Sequence, residues 1–112
     1  MPSIFHIAER PFWEAAQLSG DYRAISLDSE GFIHLSTKSQ FVATANRYYV
    51  ARDDLLLLEV DETLLDDLRY EASTNDELFP HLYGSIKVES VIRTHMFVPS
   101  VDGTFTLPAS LA

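Results

Sequence analysis

The stretch Asp54-Leu55-Leu56-Leu57-Leu58-Glu59-Val60-Asp61 decides the architecture. From Leu55 to Val60 it is apolar almost throughout, too short for a typical isolated helix, and bounded by acids. Such a run reads as a strand buried on both faces, at the middle of a sheet. Working back from it, Phe41, Ala45, Tyr48 and Tyr49 recur at i, i+4, i+7 and i+8 on one helical face, and Thr37 with Gln40 has capping-box spacing in front of them. Before that, Gly31 introduces Phe32 to Leu35, a strand with Ile33 and Leu35 on one side and Phe32 and His34 on the other. A polar connection separates it from a helix that Pro11 starts and that runs through Leu18, with Phe12, Ala15 and Ala16 as its apolar stripe and Gly20 as its stop. The chain opens with the strand Ile4 to Ala8, where Phe5 and Ile7 face one way and Ile4, His6 and Ala8 the other.

On the other side of the central run, Asp61 to Asp67 reads as a turn or short helix. Leu68 to Ala72, Leu82 to Ile86 and Val91 to Val98 are further strands, and the tail from Pro99 carries only a weak pattern. The order is βαβαβ and then mostly β. A doubly wound sheet needs more helical crossovers, so the expectation is an α+β domain: two main helices against a compact, mixed, partly antiparallel sheet. With 112 residues and no repeat or linker, residues 1–112 form a single domain by this reading.

Composition narrows the function classes. There is no cysteine, which excludes thiolate catalysis, disulfides and Cys-ligated metal, and fits a reducing compartment. The opening residues lack the basic flank and unbroken apolar run of a signal peptide, and no stretch approaches the roughly 20 apolar residues that span a bilayer. A cytoplasmic protein without membrane partners is expected. Seventeen Asp and Glu against eight Lys and Arg give a formal charge of −9, which repels polyanions and disfavours nucleic acid as a partner. An exposed edge strand leaves monomer and homodimer both open.

The residues that carry chemistry are few. His6, His34 and His81 fall in or beside predicted strands, each on the face away from its best apolar neighbours; each can equally donate one hydrogen bond inside a packed sheet. Glu71 follows Tyr70 among bulky groups, where burial would raise its pKa and suit it to acid/base work or to holding a ribose hydroxyl; the alternative is an exposed edge-strand carboxylate. Phe79-Pro80-His81-Leu82-Tyr83-Gly84 concentrates aromatic, imidazole and phenol groups, either to line a pocket for a planar base or simply as core. Ser36 and Thr37 cap the second helix and, with its dipole, could seat a phosphate or ribose. Arg10, Arg47 and Arg52 are the arginines nearest in sequence to these elements. P-loop, Rossmann, nucleophile-elbow and zincin motifs are absent.

IFHIAERPFWEAAQLSGDYR, GFIHLST, DLLLLEVD, LRYE and LFPHLYG occur in this order. Together they resemble the bacterial domain-of-unknown-function family numbered 952 over nearly the whole chain up to Val98. That family is similar, more remotely, to the ADP-ribosyltransferase fold. The resemblance implies an ADP-ribosylation-like fold with NAD as substrate: His6 would grip the nicotinamide-side ribose, and His34 would replace the tyrosine that stacks on nicotinamide. His6 is followed by Ile7-Ala8 where that fold carries His-Gly-Thr or His-Gly-Ser. The catalytic glutamate is Glu71, Glu77 or neither. The GFIHLS segment is also similar to one in RNA 2′-phosphotransferases, which rely on several arginines, whereas this chain is acidic and has few.

Three functions follow as expectations. The first is an ADP-ribosyltransferase-like transferase or nucleotide binder with His6, His34, Glu71 and His81 as catalytic residues and Ser36, Thr37, Tyr83 and Arg10 as ligand-binding ones. The second brings His6, His34, His81 and Glu71 onto a divalent metal in a hydrolase or isomerase. The third is a regulatory module that binds a small ligand without turnover.

Overall fold

The computed structural model describes residues 3–73 and 76–111. Strand β4, Leu55–Asp61, is buried at every position and lies at the centre of an antiparallel sheet ordered β1-β4-β8, between β1 (Ser3–Glu9) and β8 (Val91–Met96). The register runs from Ser3 opposite Asp61 to Glu9 opposite Leu55 on one side, and from Leu56 opposite Met96 to Val60 opposite Val91 on the other. A bulge between Glu59 and Val60 interrupts the second ladder.

Alternation along these strands makes two cores. Ile4, Ala8, Leu56, Leu58 and Val60 join Trp13, Ala16, Tyr22, Ile33, Leu82 and Ile86 on one side. Phe5, Ile7, Leu55 and Leu57 join Phe41, Ala45, Phe97 and Phe105 on the other. A strand hydrophobic on both faces needs both layers, which is why DLLLLEVD occupies the middle. The tail after Pro99 completes the second layer. Asn46 clamps it by accepting from Phe105 N–H at 2.7 Å and donating to Phe105 O at 3.1 Å. Gly103 sits at φ 88°, where a side chain would be strained and would crowd Val50 and Ala51.

Several expectations need correction. The strands form three antiparallel sheets, not one compact mixed sheet: beside the first are β2 (Asp21–Tyr22) with β7 (Ile86–Lys87), and β3 (Ile33–His34), β6 (Leu78–Leu82) and β5 (Leu68–Ala72) in the order β3-β6-β5. Among the described residues there are three α-helices, not two: α1 (Arg10–Ser19), α2 (Ile25–Ser29) and α3 (Phe41–Tyr48). Helix α2 buries no residue, so the polar connection carried no periodic signal for it. Helix α1 buries Trp13 and Ala16 and leaves Phe12 and Ala15 outside, because the larger indole takes the one inward stripe a ten-residue helix offers. Its stop at Gly20, φ 89°, is as expected. The strand placed at Leu82 to Ile86 is two strands on either side of a bend. Pro80 lies inside β6 without breaking it, since its carbonyl still accepts from Leu35 N–H at 2.9 Å. Strand β8 ends at Met96, two residues early.

Candidate functional site

Sheet β3-β6-β5 carries the densest polar chemistry. His34 stands opposite His81 and His81 opposite Arg69, while Glu71 stands opposite Phe79, so these side chains share one face. Phe32 stacks on the His81 ring with centroids 4.2 Å apart and planes 22° apart, and meets His34 and Tyr83 edge-on or tilted at 4.8 and 5.3 Å. The guanidinium of Arg69 lies 4.0 Å over the Tyr83 ring.

Glu71 holds this face together. Its Oε1 accepts from Tyr83 O–H at 2.6 Å and from His81 Nδ1–H at 2.8 Å. The Tyr83 bond first, and the His81 bond after it, keep its carboxyl below the usual carboxylate range, the opposite of the raised pKa expected from burial. The same bond raises the Tyr83 phenol. Among the described residues the second oxygen of Glu71 has no partner, and the side chain is 37% exposed. With Nδ1–H committed to Glu71, neutral His81 presents Nε2 as an acceptor. His34 Nε2–H donates to Glu30 at 3.1 Å on the exposed rim.

His6 does not project into this face. Its Nδ1–H donates to the main-chain carbonyl of His34 at 2.7 Å, and its Nε2 accepts from the buried Tyr22 hydroxyl at 2.9 Å. Burial lowers its pKa to about 4, although the bond to His34 works the other way. It is a neutral strut that fixes β1 against the strand carrying His34. Ser36 is buried and exchanges both main-chain hydrogen bonds with Phe5. Thr37 N–H is taken by Gln40 Oε1 at 3.0 Å, so this amide is already partnered, and neither Ser36 nor Thr37 caps α3 as expected, since the helix starts at Phe41 behind Gln40 with no side-chain cap and Thr37 Oγ1 pairs with Ser39 Oγ. Arg10 donates its main-chain N–H to Asp54, in a separate ion-pair group where Arg52 bridges Asp54 and Glu9. Gln40 also ties Glu77 to the main chain of Leu78, away from the imidazoles.

The metal reading asks for three converging donors. His6 has both ring nitrogens in use, and among the described residues no group of three His or carboxylate side chains is disposed to hold an ion. No helix among them is long and apolar enough to cross a membrane. Sequence reasoning missed Phe32, Arg69 and Glu30 as members of the face. The alternation that put Phe32 beside His34 was the available signal for the first.

The family model described as Protein of unknown function (DUF952) matches residues 7–94, and the chain belongs to that family. No curated protein matches it. Among solved structures, the crystal structure of protein CC0527 from Caulobacter crescentus is similar at 36% identity over 94% of each chain, with a TM-score of 0.86. The crystal structure of a double mutant of that protein gives 34% identity, 94% of each chain and 0.87. Its solution NMR structure gives 36% identity over 93% of this chain and 91% of that one, with 0.81. The family read from GFIHLST and LFPHLYG is thus the family found.

Proposed function

We propose that the Phe32, His34, Glu71, His81 and Tyr83 face binds a nucleotide of the NAD type and acts as an ADP-ribosyltransferase-like glycosyl-transfer site. The observation that carries this reading is Glu71: an ionised carboxylate anchored through one oxygen by Tyr83 and His81, with no partner for the other oxygen among the described residues and a side chain 37% exposed. Aromatic faces and the two carboxylates Glu71 and Glu30 favour a planar cationic ring such as nicotinamide in NAD. The same negative charge stabilises the oxocarbenium-like ribose as the ring leaves.

In that step the bond between ribose C1′ and the nicotinamide nitrogen breaks, and its electron pair leaves with nicotinamide. A hydroxyl or water adds to C1′ and gives its proton to His81 Nε2. His6 contributes by position, through the His34 carbonyl, and does not touch the ribose. The guanidinium of Arg69, over the Tyr83 ring, is already paired to Asp67, so the diphosphate is left to solvent rather than clamped by it.

The test is an NMR titration of isotope-labelled protein with NAD, followed by nicotinamide release from wild type and Glu71→Gln. Saturable shifts at Phe32, His34, His81 and Tyr83, with release abolished in the variant, are expected. Shifts with no release in either protein would favour the regulatory module. No shifts at millimolar NAD would remove the nucleotide reading.

A further inference from the structure

A second constellation lies on the other sheet and shares no residue with the aromatic face. His95, on β8, is 3% exposed. Its Nε2 is 2.8 Å from Glu59 Oε1, and its Nδ1 is 2.6 Å from Ser110 Oγ. The other Glu59 oxygen accepts from Ser3 Oγ at 3.0 Å, and Arg93 Nε lies 3.4 Å from Oε1. Because a carboxylate only accepts, Nε2 carries the hydrogen, and Nδ1 of the neutral ring is left to accept from the Ser110 hydroxyl. One tautomer therefore satisfies the whole chain of groups: carboxylate, imidazole, serine.

This is the order of roles in nucleophilic hydrolysis, where a buried acid orients an imidazole that takes the proton of a hydroxyl. Ser110 is exposed, unlike its two partners. It opens onto a groove between β8 and the C-terminal turn, lined by Thr94, Met96, Pro108 and Ala109 with Arg93 at its side. The ring is held by register, since His95 stands opposite Leu57 in the buried central ladder.

We infer that Ser110 is a nucleophile, activated by His95 and oriented by Glu59, that accepts the acyl group of short, uncharged esters. In the acylation step Ser110 Oγ bonds to the carbonyl carbon while its proton passes to His95 Nδ1. The bond to the leaving oxygen then breaks, and that oxygen leaves with the electron pair and the proton from His95. Water hydrolyses the acyl-serine by the same route in reverse, so ester and water give acid and alcohol. Arg93 supplies positive charge beside the groove for the developing oxyanion. The small apolar lining and the formal charge of −9 exclude bulky and anionic esters.

The experiment mixes the full chain with p-nitrophenyl acetate, follows p-nitrophenolate release, and maps the acetyl group by mass spectrometry of peptides. A burst stoichiometric with protein and acetylation of Ser110 are expected. Ser110→Ala, an exposed change that keeps the core, should abolish both. His95→Gln should slow acylation by about a hundredfold, with its circular dichroism checked for folding. Acetyl found only on Lys38, Lys87 or the N-terminus, or Ser110 acylation equally fast in folded His95→Gln, would overturn the assignment.

Discussion

Glu59 and Glu71 are built from the same parts and do different things. Each accepts from an imidazole at 2.8 Å and from a hydroxyl, at 3.0 Å for Ser3 on Glu59 and 2.6 Å for Tyr83 on Glu71. At Glu59 the two donors take different oxygens, the side chain is 11% exposed, and the group sits in the fully buried central strand. At Glu71 both donors take one oxygen, the other is unpartnered among the described residues, and the side chain is 37% exposed. The first carboxylate is consumed in orienting its histidine; the second keeps a lone pair for something else. Burial and the choice of oxygen, more than residue type, separate a carboxylate that positions from one that could meet a ligand.

The sharpest way to break this comparison is to delete each acid in turn. Glu59→Ala removes the acceptor of a buried hydrogen bond and strands the His95 N–H, and should cost about 2 kcal/mol in urea unfolding. Glu71→Ala should lower the unfolding midpoint less, because its carboxylate is 37% exposed where that of Glu59 is 11%. Equal losses in the two variants would end the distinction.

Acid titration sharpens it next. His6 is neutral in the folded protein down to about 4 but charges near 6.5 when unfolded. The unfolded state therefore binds the proton first, and stability falls as pH drops from 6.5 towards 4. At about 1.4 kcal/mol per pH unit the loss is about 3 kcal/mol. Glu59 and Glu71, both held below the ordinary carboxylate value, add stability above it that is lost at still lower pH; for Glu59, burial alone would raise the pKa and the bonds from His95 and Ser3 outweigh it. Unfolding followed across pH should show the His6 limb vanish in His6→Gln while the more acid limb stays.

Smaller effects belong to the exposed face. Phe32→Ala removes the ring stacked on His81 and should weaken NAD binding about tenfold with a stability cost near 1 kcal/mol, measured by titration and thermal unfolding. Tyr83→Phe deletes one donor to Glu71. Its carboxyl pKa should rise back towards the ordinary value, read from the side-chain carbon shift, with no change in fold.

Much of this was legible in the residues. An apolar run bounded by acids marked β4, period-two alternation sorted Phe5 and Ile7 from Ile4 and His6, and the spacing of Phe41 and Ala45 marked the buried stripe of α3. Glu59 left a trace that was passed over: a carboxylate inside a buried strand has to find a donor. His95 and Ser110 left none that could be paired, because they are joined only when the tail folds back over the second core. The region 21–30 was read as polar connection because α2 has no buried stripe to give it a period.

Periodicity is a local property, and it determined the α+β character and the central strand, while the resemblance of five segments pointed to the family. Which imidazole is a strut, which faces a free carboxylate oxygen and which touches a serine was decided only by tertiary structure. His6 lies between Phe5 and Ile7, His81 between Pro80 and Leu82, and His95 between Thr94 and Met96, and none of these neighbours points to a partner. Their partners Tyr22, Glu71, Glu59 and Ser110 arrive from 10 to 36 residues away. A hydrogen bond depends on distance and direction between groups, and only the assembled sheets set those.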